Sequence, residues 1–211
     1  MKPAFQRLRL AVSAPRLVAH VMIMRCSSKR DIIEEDLRFW AKAYELSTPR
    51  TGNDLIYLFL TFMTRLPEFR NVFYLRIGNL SWLLRWMCPP LGSLKIDSRS
   101  IGPGLYIQHG DNTFVSAESI GANCWIGRHV VIGFSNLTDR PSIGNNVRIY
   151  AGAKIIGNVS VGDNATIGLN TVVMNDVAPN VTLLGVPGRV IWKERCNSTL
   201  KGNDNALPDA P

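Results

Sequence analysis

Apolar residues along this 211-residue chain follow two different periods, and the change between them falls at Pro89-Pro90-Leu91-Gly92. Before that break the spacing is helical. Residues 28–46 set Ile32, Ile33, Leu37, Phe39, Trp40 and Tyr44 on one stripe against Glu34, Glu35, Asp36, Arg38 and Lys42, which predicts an amphipathic helix capped by Ser28 or Asp31. Residues 53–63 are apolar almost all round, so their helix is expected to be buried between other helices or subunits. Pro67 then bends or restarts the chain, and a third apolar helix is expected over 81–87. Residues 1–25 place Arg7, Arg9, Arg16 and Arg25 among leucines and valines. Two readings stay open there: a basic amphipathic helix on a membrane surface, or a helix packed or frayed at the end of the domain.

After the break an internal repeat takes over. Ile or Val stands at 101, 107, 115, 120, 126, 132, 143, 149, 155, 161, 167 and 173, in steps that are mostly six residues. A three-sided coil needs one short strand and one corner per six residues, so the pattern predicts a parallel β-helix. Gly102, Gly121, Gly127, Gly133, Gly144, Gly162 and Gly168 each follow an aliphatic, where a corner is expected to demand unusual dihedrals. Four residues after each aliphatic of the regular run sits a small side chain (Val147, Ala153, Val159, Ala165, Thr171, Val177), a second inward column. Cys124 shares that phase and reads as core packing. The eight-residue step from Ile107 to Val115 and the eleven-residue step from Ile132 to Ile143 break the period. The longer one inserts a loop through Phe134 and Arg140, a candidate active-site arm. The organisation expected is an α-helical N-terminal region over 1–92, a β-helix over 93–192 and a polar tail over 193–211. The fold class is mainly β with helices at the N-terminus.

Charge and cysteine content narrow the function classes only a little. Twenty-four Lys and Arg against sixteen Asp and Glu give a formal charge of +8, suited to anionic partners. The cations are scattered and no aromatic-basic motif accompanies them, so nucleic acid is not expected as a partner. Cys26, Cys88, Cys124 and Cys196 are far apart without metal-ligand spacing, so neither a disulfide framework nor a structural metal is expected and a reducing, cytoplasmic setting is favoured. The apolar stretch 17–24 is short and lacks a cleavage signature, so no signal peptide is expected, although Met22 or Met24 could begin a shorter chain.

The segments Ile101-Gly102-Pro103-Gly104-Leu105-Tyr106-Ile107-Gln108-His109, Ile149-Tyr150-Ala151-Gly152-Ala153-Lys154-Ile155-Ile156-Gly157-Asn158 and Leu184-Gly185-Val186-Pro187-Gly188-Arg189 resemble the left-handed β-helix, hexapeptide-repeat acyltransferases, and among them the serine acetyltransferase-like group. The resemblance covers residues 96–191 and implies a left-handed parallel β-helix. It also implies transfer of acetyl from acetyl-CoA to a hydroxyl. His109 stands where that family has its general base, a role that suits an imidazole at neutral pH. A backbone N–H of a glycine-rich corner would steady the oxyanion. Gln108, Asp111 and Arg140 are the implied acceptor-side residues. Ala151, Gly152, Lys154, Gly168, Leu169 and Arg189 are the implied donor-binding residues, with Lys193 added on charge alone. The resemblance further implies a homotrimer or a dimer of trimers, since a single prism offers no deep cleft for a pantetheine arm.

The chain also departs from that group. Serine acetyltransferases carry an Asp just before the histidine, an Asp about fifteen residues earlier that pairs with its imidazole, and an Arg-His pair in the inserted loop. Here these positions resemble Gln108, the neighbourhood of Leu94 and Lys95, and Asp139-Arg140-Pro141. Asp97, Asp111 or a backbone carbonyl remain as groups that could orient His109. The acceptor therefore stays open between serine and a sugar hydroxyl of a surface polysaccharide. The alternatives are N-acyl transfer to an amino sugar and a non-catalytic β-helix scaffold. His129 reads as a surface or cleft-lining residue, and His20 is given no role.

Overall fold

A computed structural model describes residues 3–47, 49, 51–136 and 138–192, with side chains from residue 15 to 191. Lys193 and the expected polar tail lie outside the described residues, as do the side chains of Arg7 and Arg9.

Four helices of more than ten residues come first: α1 (Pro3–Cys26), α2 (Arg30–Ala43), α3 (Gly52–Arg65) and α4 (Pro67–Ile77). A 3-10 turn at Gly78–Leu80 leads into the short α5 (Ser81–Arg85). The stripe expected on α2 is real, with Ile33, Leu37, Trp40 and Ala41 buried. Its cap is not as expected: Lys29 holds the N-cap position without a side-chain bond, and the Ser27 hydroxyl accepts the Lys29 N–H at 3.1 Å. Neither Ser28 nor Asp31 caps the helix. α3 begins with a capping box in which Thr51 Oγ1 accepts from Asp54 N–H at 3.2 Å and Asp54 accepts from Thr51 N–H at 2.9 Å. Pro67 restarts the chain as the first residue of α4, where its missing N–H costs nothing. Trp40, Phe59, Phe62, Phe69 and Phe73 pack edge to face or tilted at the centre of the helical region. His20 is buried there within 3.0 Å of Tyr74 Oη, and burial holds its pKa below the ordinary histidine value.

Beyond the break the chain coils through three parallel sheets. Sheet A takes β1 (Leu94–Ile96), β4 (Thr113–Val115), β7 (Val131–Gly133), β10 (Lys154–Ile156) and β13 (Val172–Val173). Sheet B takes β2 (Ser100–Ile101), β5 (Ser119–Ile120), β8 (Ser142–Ile143) and β11 (Ser160–Val161). Sheet C takes β3 (Tyr106–Ile107), β6 (Trp125–Ile126), β9 (Arg148–Ile149), β12 (Thr166–Ile167) and β14 (Val181–Leu184), closed by the antiparallel β15 (Arg189–Trp192). The register stacks like on like: Ile107 on Ile126, Ile149 and Ile167, and Ile101 on Ile120, Ile143 and Val161. The second inward column is equally buried, from Val147 and Ala153 to Thr171 and Val177. Cys124 lies in it as expected, fully buried, and burial pushes its thiol to about 11.

The glycines after the aliphatics serve a different purpose from the one expected. None of the seven has a positive φ; the left-handed corners fall two residues later, on Gly104, Asn123, His129, Asn146, Asn164 and Asn170, and on Gly152 in the coil where Tyr150 takes the glycine's place. What excludes a side chain after the aliphatic is the next coil. A Cβ on Gly121 would stand 2.6 Å from Gly144 O, and one on Gly127 would stand 2.7 Å from Ala151 N. Gly133 is the exception, with nothing nearer than 3.6 Å.

The open edge of the first coil is closed by the helices. Arg76 pairs with Asp36 through Nε at 2.8 Å and Nη2 at 3.1 Å, and it also donates to the carbonyls of Ile101 and Gly102 at 2.7 Å each. Asp36 accepts the N–H groups of Gly104 and Leu105, while Trp40 Nε1 donates to Leu105 O at 2.7 Å. Both charges of the pair are buried, and every bond they make goes to the other or to the strand edge, which makes the burial tolerable.

Candidate functional site

The residues singled out for catalysis and donor binding converge on one edge of the prism, where sheet C turns into sheet A. His109 lies in the corner between β3 and β4. Directly along the axis follow the corners carrying His129, then Ala151 and Gly152, then Gly168 and Leu169, then the 185–188 turn leading to Arg189. Main-chain bonds tie these corners together: His129 N–H to Asp111 O, Gly152 N–H to Arg128 O, and Asn170 N–H to Ala151 O, at 2.9 to 3.0 Å. With coils about 4.8 Å apart, Gly168 stands about 14 Å along the axis from His109. Leu169 is 66% exposed on this edge, Arg189 is exposed, and Lys154 turns its ammonium back onto Gly152 O at 3.0 Å. Gly152 and Gly168 have structural reasons of their own, since a Cβ on either would collide with Asn170 or Leu184.

The eight-residue step after Ile107 is a two-residue enlargement of this corner. It holds His109 at φ 59° and Asn112 at φ 47°, both left-handed, and leaves the imidazole exposed. Gly110 beneath it is boxed in by Ile107, Leu94 and Leu91. Leu94, at a position where the resemblance puts a carboxylate, is thus part of an apolar floor. Asp97 is not beside the histidine either.

A carboxyl group of the helical region lies within electrostatic reach of this corner, with no hydrogen bond or ion pair joining it to His109. Glu68, in the first turn of α4, is 6% exposed, and burial pushes its pKa above the ordinary carboxyl value, opposed in part by the nearby charge of His109. Asp111, exposed in the same corner, also lies within electrostatic reach of Glu68. Glu68 also bears on the bonded hydroxyls of Tyr44 and Tyr106, whose pKa values are raised chiefly by burial. Its position is fixed by α4, which is pinned to the 89–94 segment: Leu91 N–H donates to Pro67 O and to Asn71 Oδ1, and Arg70 donates to Pro89 O. Sequence reasoning missed Glu68, because 41 positions separate it from His109 and no local signal links them.

Beside the edge, the outer face of sheet C forms a groove of about 890 Å³. Its wall is a column in which Trp125 packs edge-on against Tyr106 with centroids 4.7 Å apart, and the Arg148 guanidinium lies 6.0 Å from the Trp125 ring. Phe39 and Lys42 of α2 close one end, and Leu184 the other. Gly168 and Leu169 belong to both groove and edge. Gln108, next to His109, accepts from Trp125 Nε1 at 3.3 Å.

Arg140 stands elsewhere. Its loop joins sheet A to sheet B, and its guanidinium donates to the Asp97 carbonyl at 3.0 Å and its carboxylate at 3.4 Å. Asp139 organises the loop by accepting from the backbone N–H of Ser135 and Asn136. Within one chain, then, Arg140 and Asp97 form one group and His109, Gln108, Asp111 and Glu68 another. No cluster of three or more His, Cys, Asp or Glu side chains is set to hold a metal among the described residues.

Comparison with known proteins agrees with this architecture. The profile of the Bacterial transferase hexapeptide (six repeats) family matches residues 140–175. A serine acetyltransferase of Synechococcus elongatus is 37% identical over 97 residues, 44% of this chain and 40% of that protein, so the chain spans less than half the length of this relative. Among solved structures, serine acetyltransferase from Brucella abortus superposes with a TM-score of 0.64 over 82% of this chain and 72% of its own, at 23% identity. A serine acetyltransferase in complex with CoA superposes with a TM-score of 0.55 over 80% and 72%, at 23% identity. Repeat profile and sequence likeness, each over part of the chain, and superposition agree on a parallel β-helix of hexapeptide repeats preceded by a helical region, similar to serine acetyltransferases.

Proposed function

We propose that the protein is an acetyl-CoA-dependent O-acetyltransferase with His109 as its general base. The observation that carries this reading is the shared edge: the exposed imidazole and the implied donor positions lie on one line along the prism. The serine acetyltransferases it resembles, one of them solved with CoA, supply the class of reaction. In the proposed step His109 takes the proton of the acceptor hydroxyl as its oxygen attacks the thioester carbonyl. The tetrahedral intermediate collapses, the C–S bond breaks, and the imidazolium returns the proton to the departing CoA thiolate. The products are an acetyl ester and free CoA. A corner N–H would stabilise the oxyanion, and Glu68 or the exposed Asp111, the carboxyls within electrostatic reach, would orient the imidazole once the acceptor is bound.

The acceptor we favour is a sugar hydroxyl over free serine. Gln108 is neutral and its amide oxygen is engaged by Trp125, so this position offers no charge to a serine ammonium group. The neighbouring groove combines aromatic faces with Asn and Arg side chains, a chemistry that suits a saccharide. We also place the protein in the cytoplasm, where acetyl-CoA is available, and as a trimer, in which a second chain would bring its Arg140 group towards the His109 edge.

Release of CoA thiol in the presence of acetyl-CoA tests the reading, with L-serine, capsule-type oligosaccharides and amino sugars as separate acceptors. The expected result is turnover with an oligosaccharide, lowered about 10²- to 10⁴-fold by His109→Ala. Turnover with serine alone would move the acceptor back to the amino acid, and product carrying an amide would make the enzyme an N-acyltransferase. No release of CoA with any of these acceptors would favour the scaffold reading and overturn the proposal.

A further inference from the structure

The helical region carries an exposed apolar face with no counterpart in the reaction above. On α5 and the turn before it, Trp82 is 75% exposed and Trp86 78%, with Leu80 and Leu83 about half exposed beside them. On α1, Val18 and Met22 stand one turn apart and face outward, while Leu17, His20 and Met24 face the core. The two helices meet where His20 lies against Leu84 and Tyr74, and the hydroxyl of Tyr74 also reaches the Leu84 carbonyl at 3.3 Å. Indole rings this exposed are unusual on a water-facing surface, and Trp is the side chain that settles at the boundary between lipid chains and headgroups.

The chain segments that carry this face are basic. Residues 1–30 hold seven Lys and Arg and no Asp or Glu; residues 69–96 hold three besides Arg76, whose charge is buried against Asp36, and again no acid. Arg16, Arg25 and Arg85 are exposed on the helices that carry the apolar residues. A second copy of the chain docked here symmetrically would set these cations against one another, which disfavours a self-contact. An anionic surface would match them. No described helix is long and apolar enough to cross a membrane, so the contact would be peripheral.

We propose that the face built by α1 and α5 docks the protein on an anionic membrane surface, with Trp82 and Trp86 seated at the headgroup level and the surrounding arginines on the phosphates. The test is flotation of the full-length protein with phosphatidylglycerol vesicles and with phosphatidylcholine vesicles, for the wild type and for the double variant Trp82→Ser, Trp86→Ser. The expected result is selective partition to phosphatidylglycerol, reduced at high salt, and about tenfold or more weaker in the variant. Thermal unfolding checks that the variant keeps its fold, since both side chains are at the surface. Wild-type protein that fails to float, or that floats equally with both lipids, overturns the proposal. So does a variant that partitions unchanged, and if light scattering then shows the variant in a smaller oligomer, the face is a contact between copies. Lipid partition is read without any acetyl transfer, so its failure is independent of the assignment of His109.

Discussion

Glu68 has two roles open to a buried carboxyl, and they can be separated by experiment. As the group orienting His109, its loss should lower kcat with little change in KM and alter the pH profile of the reaction. For Glu68→Gln we expect a fall of about ten- to a hundredfold, short of that for His109→Ala. A purely structural role would leave the pH profile unmoved. Burial raises the Glu68 pKa in the folded state, so its stability contribution is fully present below the unfolded value near 4.5 and is lost as pH rises through the folded value. Thermal melts across that range should therefore show a decline in the wild type that is shallower in Glu68→Gln. His109 could be read from the sequence because the family motif around it is local. Glu68 could not, because only the docking of α4 onto the first coils brings it there.

At the scale of the element, the six-residue period made the coil legible, but the reason for its glycines was misassigned. An Ile-Gly-x-Asn run contains two special positions: the glycine is needed for space against the next coil, and the asparagine supplies the left-handed corner. A period in the sequence marks both without saying which constraint acts where. The distinction predicts unequal costs for one chemical change. Gly127→Ala pushes a methyl into the Ala151 backbone and should destabilise by about 1 to 3 kcal/mol in urea unfolding, whereas Gly133→Ala should change stability by less than about 0.5 kcal/mol. The caps of the N-terminal helices were less legible, since α2 begins without the side-chain bond its Ser and Asp residues suggest.

For the whole molecule, the change of period at 89–92 located the passage from helices to β-helix, yet the manner of their joining was invisible in the sequence. Asp36 and Arg76 stand on separate helices in runs that read as ordinary amphipathic pattern, and only the fold reveals them as a buried pair against the first coil. Asp36→Ala would leave the Arg76 charge and two N–H groups uncompensated. We expect a loss of about 3 to 5 kcal/mol, measured by chemical denaturation.

That junction also gives the coil stack a definite beginning. Parallel coils of constant pitch have no natural length: the exposed rim of one is a template for the rim of another, and a heterologous contact of this kind repeats without closing. By occupying the carbonyls of Ile101 and Gly102 and the amides of Gly104 and Leu105, the Asp36–Arg76–Trp40 clamp works as a chain terminator, and the reversed strand β15 does the same for sheet C at the far end. A fold that could otherwise propagate as a filament is thereby kept to a counted number of turns.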